Sequence, residues 1–340
     1  MPCPPHPVSR RAALLSALAA ASPWALAQGK ARAAAAPLEW PTRPLKIIVG
    51  FPAGSSPDIT ARTFAEPLSK ALGQPVIVDN KVGAGGNIGA DALAKARDGH
   101  TIGLMINGNL TIAKLLNPAL SYDPLKDLAP LSLVGTSPLI LTAPLNQPGV
   151  PATGSAHAFF AAARNGGDTW SYGTPGVGTV GHIGTELLKS RSAINPVHVP
   201  YPGYAQVANA MLGGQLQLAL LPPGLALAQV RAGKLRAIGL TSAGRSPLAP
   251  DLPSLSEAGV QDFSLEIWNA FAAPAGMPPS VRARLAALIG EIARSQEVRS
   301  KLFQQGWQTV GSSPEGLANR IQADTVLLGA VIAMRAIRAE

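Results

Sequence analysis

Two units of strand, glycine loop and helix follow one another in residues 45–99, and they constrain the fold more than any other feature of the chain. The first unit is LKIIVGFPAGSSPDITARTFAEPLSKALG, and the second is PVIVDNKVGAGGNIGADALAKARDG. Short apolar strands that alternate with helices are typical of an α/β protein with a parallel sheet. In both units the loop amides point to one place, so the pair predicts a ligand seat as well as a fold.

The first of these loops is predicted to bind an anion without a charged side chain. Gly54, Ser55 and Ser56 lead into Pro57, which suits the first turn of a helix, so unpaired amides and the positive helix end face the loop. The loop contains no lysine, no arginine and no nucleophile beside a base. We therefore expect it to hold a carboxylate reversibly rather than to transform it.

Residues 1–36 are predicted to be an export leader. Arg10 and Arg11 precede a short apolar run, as the basic region of a signal peptide precedes its hydrophobic region. Ser-Arg-Arg also matches the twin-arginine pattern, so the Sec and twin-arginine routes both stay open. Cleavage after Ala27 or after Ala36 suits the small residues at both places. Either route leads to the periplasm.

A membrane span is the competing interpretation of the leader. The apolar run, residues 12–27, has only 16 residues and contains Pro23, whereas a spanning helix needs about 20. The only cysteine, Cys3, precedes this run and is lost with the leader. The mature chain is therefore predicted to lack disulfides, a catalytic thiolate and cysteine zinc sites.

Composition favours a packed two-domain protein. The 340 residues leave about 300 after cleavage, more than one hydrophobic core usually covers. Hydrophobic residues make up 47% and charged residues 14%, which excludes a disordered chain. The net charge of +9 includes four basic residues of the leader, so a mild +5 remains. Dispersed charge and an aromatic content of 5% argue against a nucleic-acid partner.

The apolar rhythm predicts two halves with the same plan. The first half is predicted to have strands at 47–49, 76–78 and 101–106 and helices at 57–72 and 88–96. Two long apolar runs, 131–134 and 139–142, follow the first half. The second half is then predicted to have helices at 155–164, 178–189, 204–212 and 225–232 and strands at 169–172, 196–199, 216–221 and 235–241. The largely helical tail, residues 278–334, is expected to return to the first half. Lobe 1 then comprises 37–140 and 267–340, lobe 2 comprises 141–266, and the chain crosses near 137–142 and 266–273.

Many ordered segments resemble the Bug family, the extracytoplasmic solute-binding receptors of tripartite tricarboxylate transporters. They include GFPAGSSPDITAR, LGQPVIVDNKVGAGGNIGADALAKARDGHT, NPALSYDPLKDLAPLSLV and SYGTPGVGTVGHIGTELLK. The resemblance covers nearly the whole mature chain. It implies a type II periplasmic binding protein of the Venus-flytrap kind, with a hinge of two crossing strands. Such a receptor, expected to be a monomer, grips a small carboxylate between its lobes and delivers it to the membrane permease subunits. A membrane sensor kinase is the alternative partner.

In the first lobe, the resemblance places the ligand at the loop after the first strand. Gly50 and Ala53 stand where the family has prolines, and Ser55 stands where it has a second glycine. Asp58 is expected to tie down the loop, with direct ligand contact as the alternative. The candidate ligand-binding residues of this loop are Phe51, Ala53, Gly54, Ser55, Ser56 and Asp58.

Asn107 and Gly108 end the strand at 101–106, where parallel sheets bind ligands, although a capped turn explains them equally well. Farther along the chain, residues 176–181 spell the G-x-G-x-x-G fingerprint of dinucleotide sites. The acidic residue that such a site needs about 20 positions later is missing, which argues against a nucleotide. In place of a nucleotide site, the resemblance implies a second carboxylate-facing loop. Its candidate residues are Thr174, Val177, Gly178 and Thr179, where Val180 replaces a common serine.

His182 opens the following helix and has two interpretations, a structural helix-end histidine and a polar ligand contact. Leu221, Pro222 and Pro223 stand where the family often has an aspartate, so we expect an apolar wall there and a ligand without an ammonium group.

An enzyme is the alternative function. It would use His182 with Asp58 or with a serine of the first loop. The chain has no G-x-S-x-G, H-E-x-x-H or G-x-x-x-x-G-K-[ST] motif and no histidine pair at metal-ligand spacing. We therefore predict a binding protein without cofactor, metal or catalytic residues.

Overall fold

The structure is a computed structural model that describes residues 1–2, 40–146 and 155–337. The predicted export leader lies outside the described residues, apart from its first two. Residues 41–337 belong to one compact unit.

Strands and short or medium helices alternate along most of the chain. The strands are β1 (Leu45–Val49), β2 (Val76–Asn80), β3 (Thr101–Ile106), β4 (Leu128–Pro138), β5 (Ile140–Pro144), β6 (Ser171–Thr174), β7 (Val197–Pro200), β8 (Leu218–Leu221), β9 (Leu235–Leu240), β10 (Glu266–Pro274) and β11 (Gln308–Thr309). The helices are α1 (Ser56–Leu72), α2 (Asn87–Ala94), α3 (Asn107–Leu110), α4 (Ala113–Leu116), α5 (Pro124–Asp127), α6 (Ala156–Gly166), α7 (Val180–Ser192), α8 (Tyr204–Leu212), α9 (Pro223–Arg231), α10 (Pro279–Arg294), α11 (Gln296–Gln304) and α12 (Pro314–Arg335).

These strands form two mixed sheets, each the centre of one lobe. The first sheet has six strands in the order β11-β4-β10-β3-β1-β2, and the second has five in the order β7-β6-β8-β5-β9. Strands β2, β1 and β3 are parallel, as are β7, β6 and β8, so both predicted wound halves form. The remaining strands pair antiparallel because β4, β5 and β10 carry the chain between the lobes.

The chain passes between the two sheets at two places. It leaves the first sheet between β4 and β5, at Leu139, and returns between β9 and β10. The lobe bounds proposed from the sequence, residues 140 and 266, lie beside these passages and stay a prediction.

Thr241 joins the passages because it is fully buried and hydrogen-bonded to both of them. Its amide donates to the Leu139 carbonyl at 2.9 Å, and its hydroxyl oxygen accepts from the Leu139 amide at 2.7 Å. The hydroxyl also donates to the Leu265 carbonyl at 2.7 Å, while the Leu265 amide donates to the Thr241 carbonyl at 2.8 Å. One residue therefore satisfies the backbone where both connections leave their sheets.

Helix α1 starts at the carboxyl end of β1 and ends where the sequence predicts. Gly73 terminates it in the left-handed conformation, with φ of 67°, and donates its amide to the Ser69 carbonyl. Phe64 is fully buried and packs edge-on against Phe271 of β10, with ring centroids 5.2 Å apart. This contact fixes the helix on the sheet and so fixes the direction of its amino end.

Helices of the tail pack on the first sheet, and the last of them also contacts the second lobe. Helices α10 and α12 pack on β4, and α12 also packs on α7 of the second lobe. Trp268 of β10 donates its indole Nε1–H to Asp324 of α12 at 2.6 Å, while Arg335 of the same helix pairs with Glu186 of α7 at 3.3 Å. Of the described helices, α12 alone is long and apolar enough to span a membrane, and its packing on both lobes explains it as part of the fold.

Replacing Phe64 with alanine should lower the free energy of unfolding by about 3–5 kcal/mol, because a buried aromatic ring leaves a cavity. Phe303→Ala is the matched control, since that ring is 50% exposed on α11 and its loss should change stability by less than about 1 kcal/mol. Urea denaturation of both variants measures the two values. Equal losses would show that the contact between Phe64 and Phe271 does not anchor α1.

Candidate functional site

A cavity of about 380 Å³ lies between the two lobes at the carboxyl ends of their parallel strands. Lobe 1 lines it with the loop after β1, with Asn107 after β3 and with β10. Lobe 2 lines it with the loops after β6, β7 and β8. The segment between α11 and β11 closes one side with Gln305 and Trp307. This is the place where α/β sheets bind ligands.

Four helices, α1, α7, α8 and α9, begin at this cavity. Among the described residues, several amides of their first turns have no acceptor, which makes the cavity wall a set of unused donors. Those in residues that line the cavity belong to Ser56 of α1, Val180 of α7, and Tyr204 and Ala205 of α8. The positive ends of the helices add a favourable field for an anion. The geometry suits a carboxylate bound through backbone groups of both lobes.

The first loop has fewer unpaired amides than its sequence suggests. The Gly54 amide donates to the Asp58 carboxylate at 2.8 Å, and the Ser55 amide donates to the Pro52 carbonyl at 3.1 Å. Two of the three amides expected to be unpaired are therefore used inside the loop, and that expectation was wrong for them. The Ser56 amide has no acceptor among the described residues, and Gly54 and Ser55 still line the cavity.

Asp58 holds the loop in shape and does not line the cavity. Its side chain is 1% exposed and accepts from Arg62 Nε and Asn80 Nδ2, both at 2.9 Å, as well as from Gly54. Asn80 also donates to the Phe51 carbonyl at 2.9 Å, which ties the loop to β2. Burial alone would raise the pKa of Asp58, but the hydrogen bonds from Arg62, Gly54 and Asn80 together lower it below the usual range.

Three polar side-chain atoms of the cavity wall are buried without a hydrogen-bond partner among the described residues. They are Ser55 Oγ, Asn107 Oδ1 and Gln305 Oε1. The Asn107 side chain is otherwise held firmly, because its Nδ2 donates to the Glu266 carbonyl at 3.2 Å. Buried polar atoms normally find partners, so these three atoms mark where a ligand or water completes the site.

Several polar groups of the second loop that were predicted to bind the ligand instead form hydrogen bonds near or within the loop. The Thr174 hydroxyl lies 2.6 Å from His198 Nε2, and the Thr179 hydroxyl donates to the Gly176 carbonyl at 2.8 Å. The Gly178 amide donates to His182 Nδ1 at 3.3 Å, and the two histidine rings stack with centroids 4.3 Å apart. Burial lowers the pKa of His182, which favours the neutral ring that this acceptor role requires.

A second cavity, of about 650 Å³, lies beside the first and shares Phe51 and Pro175 with it. The two lobes approach closely along it. A Cβ added to Gly108 would lie 2.6 Å from the Gly178 carbonyl oxygen, and one added to Gly85 would lie 2.9 Å from the Val177 carbonyl oxygen. Only residues without a side chain allow this approach.

The structure distributes the predicted site residues over three places. Those that line the first cavity are Phe51, Ala53, Gly54, Ser55, Ser56, Asn107 and Thr179. Those that line the second cavity are Gly108, Val177 and Gly178, again with Phe51. Asp58, Thr174 and His182 line neither, because their polar atoms hold the two loops together.

Sequence reasoning missed Tyr204, Gln305, Trp268 and Trp307 in the wall of the first cavity. Tyr204 begins a predicted helix after a predicted strand, so the position of ligands at the carboxyl ends of strands was a usable signal for it. The other three come from β10 and the tail, far from the loops in sequence, and have no local signal.

The described lining of the first cavity carries no lysine, arginine, histidine or carboxylate. Tyr204 is its one group that titrates, and burial raises the pKa of that phenol above its usual range. In the part of the chain that the structure describes, no three His, Cys, Asp or Glu residues are grouped to hold a metal ion. The chemistry of the wall is therefore that of neutral donors, neutral acceptors and apolar surface.

The chain is similar to proteins of one known family. Residues 60–337 match the family model described as tripartite tricarboxylate transporter family receptor. Protein BugT of Bordetella pertussis is 34% identical over 278 residues, which cover 81% of this chain and 84% of that protein.

Two solved structures are similar throughout their length. Rpa4515 of R. palustris with adipate has a TM-score of 0.83 and 28% identity, covering 88% of this chain and 99% of that chain. MatC (Rpa3494) of Rhodopseudomonas palustris with bound malate has a TM-score of 0.80 and 29% identity, covering 86% of this chain and 99% of that chain.

The Asp58→Asn variant should be less stable than the wild-type chain by about 1–3 kcal/mol at pH 7, because three donors lose their charged acceptor. Since the folded state lowers the pKa of Asp58, its contribution is complete above the ordinary value of 3.8 and is lost as the pH falls through the lower folded value. The difference between the two proteins should therefore shrink in acid. Thermal unfolding from pH 7 down to pH 2.5 tests this, with exposed Asp251→Asn as the control. A difference independent of pH would contradict the ionised role.

Proposed function

Because the chain belongs to the tripartite tricarboxylate transporter family of receptors, we propose that it is exported and binds a small carboxylate between its lobes. It then delivers this ligand to the membrane permease subunits of a tripartite transporter. The observation that carries the proposal is the set of unpaired helix amides from both lobes that faces one uncharged cavity. Adipate and malate in two solved relatives support the carboxylate class.

Binding and closure are linked in this mechanism. Amides of α1 belong to lobe 1, and those of α7 and α8 belong to lobe 2, so a single carboxylate meets both sets only when the lobes are close. The ligand therefore stabilises the closed arrangement by its differential affinity for it. The closed surface is what the membrane partner recognises.

The enzyme alternative receives no support from the site. His182 and Asp58, two of the residues that it would use, line neither cavity. His182 is hydrogen-bonded to Gly178, and Asp58 is hydrogen-bonded to Gly54 and Arg62. The Ser56 hydroxyl oxygen accepts from Trp307 Nε1 at 2.9 Å, and no base is hydrogen-bonded to it among the described residues. A reversible receptor requires none of these groups to react.

Thermal unfolding with a panel of carboxylates tests the proposed function. The protein is unfolded and refolded to remove bound ligand, and each mono-, di- and tricarboxylate is added in excess. A ligand at 100 times its dissociation constant adds about 2.7 kcal/mol, which raises the unfolding temperature of a chain of this size by several degrees. Recovery of the added compound unchanged is expected. No shift with any carboxylate, or formation of a product, would contradict the proposal.

The Gly108→Ala variant tests closure. Its new methyl group meets the Gly178 carbonyl oxygen only when the lobes touch, so the fold should keep its stability while the closed arrangement loses about 1–3 kcal/mol. Affinity for the carboxylate with the largest thermal shift should fall about tenfold by calorimetry. Gly276→Ala, which meets open space, is the matched control and should bind normally. Unchanged affinity of Gly108→Ala would show that the approach of these loops is not part of binding.

A further inference from the structure

We propose that the ligand of the first cavity is a carboxylate with a flat, uncharged, apolar body and a hydroxyl group that donates to Asn107. This inference rests on the proposed function and deepens it, because it assigns the part of the ligand that lies beyond the carboxylate. It is based on the residues of the cavity wall and on one buried hydrogen-bond acceptor, Asn107 Oδ1.

Much of the remaining cavity wall is apolar and aromatic. Phe51, Trp268 and Trp307 are 6%, 0% and 2% exposed, so they are fixed parts of the fold that also contact the cavity. Leu225 and Ile267 extend the same surface. Both indole N–H groups are already used, by Asp324 and by the Ser56 hydroxyl, so neither tryptophan has a free donor for the ligand. A volume of about 380 Å³ accommodates one aromatic ring with a short chain.

Asn107 supplies a directional acceptor in this wall. Its side chain is 1% exposed, and the bond from Nδ2 to the Glu266 carbonyl settles which amide atom faces which way. The oxygen Oδ1 is then left buried without a partner among the described residues. An amide oxygen repels a second carboxylate and attracts an O–H or N–H donor. A buried acceptor of this kind discriminates strongly against a ligand that lacks the donor.

The donor is a neutral hydroxyl rather than an ammonium group. No carboxylate lies among the described residues of the lining, so an ammonium group would be buried without a counter-charge. The positive ends of four helices also disfavour a cation in this cavity. A hydroxyl satisfies Asn107 Oδ1 without either cost.

Calorimetry with a matched probe series tests the inference on the wild-type chain. The probes are 3-phenylpropanoate, its 2-, 3- and 4-hydroxyphenyl isomers, phenylalanine, tyrosine, adipate and malate. One hydroxyphenyl isomer should bind about tenfold more tightly than 3-phenylpropanoate, since it completes a buried hydrogen bond. Phenylalanine and tyrosine, which carry the ammonium group, should bind at least tenfold more weakly than the matching phenylpropanoates.

Asn107→Leu adds the residue-level test. The ratio of affinities between the preferred hydroxyphenyl isomer and 3-phenylpropanoate should fall to about one, while 3-phenylpropanoate itself still binds. Asn209→Leu, at an exposed position of α8 outside both cavities, is the matched control and should leave the ratio unchanged. If Asn107→Leu does not fold, the wild-type probe series alone decides the matter.

The outcomes separate the inference from the proposed function. Binding of adipate or malate with no binding of any phenylpropanoate would overturn the inference and leave the receptor function standing. Equal affinities for 3-phenylpropanoate and all three hydroxyphenyl isomers would also overturn the role of Asn107. Failure of every carboxylate to bind would instead overturn the proposed function.

Discussion

The structure depends on backbone amides that the fold itself leaves without acceptors. A parallel strand followed by a helix places the unpaired first turn of that helix at the carboxyl end of the sheet. This chain brings four such helix starts, α1, α7, α8 and α9, to one cavity from two lobes. Their amides and positive helix ends attract a carboxylate, so the site needs neither lysine nor arginine. Charge selectivity comes from the architecture, and discrimination among carboxylates is left to the rest of the wall.

Two small structural devices allow these amides to act together. Thr241 joins both chain passages between the sheets through four hydrogen bonds, so the lobes share one satisfied connection. Where the loops of the two lobes meet, glycines at positions 85, 108 and 176 let the two backbones approach closely. The Asp58 side chain stabilises the first loop by accepting from the Gly54 amide, and the His182 side chain stabilises the second loop by accepting from the Gly178 amide. Rigid loops and a close approach are what a backbone-only site requires.

Much of the fold follows from local sequence signals, whereas the mixed character of the sheets does not. The two glycine-loop units and the Gly73 terminus predict β1, α1, β2, α2 and β3 because apolar periodicity and helix ends are local properties. Strand β10 was predicted only as a crossing, since eight of its nine residues are buried, so the strand lacks alternation. The four-residue helices α3, α4 and α5 are too short to show a period.

For the site, the sequence indicated which loops line the cavity but not which of their atoms are available to a ligand. It located the loop at 51–56, Asn107 and Thr179, all of which line the cavity. It could not show that the Gly54 and Gly178 amides are used inside their own loops, because hydrogen bonds to Asp58 and His182 depend on three-dimensional geometry. Nor could it place Trp268 and Trp307, which reach the wall from the far end of the chain. NMR spectra of the backbone amides, with and without the carboxylate that binds most tightly, test the central claim most directly. We expect the Ser56 resonance of lobe 1 and the Val180, Tyr204 and Ala205 resonances of lobe 2 to shift together and to exchange more slowly with solvent. Changes confined to one lobe, or to side chains away from these helix starts, would contradict it.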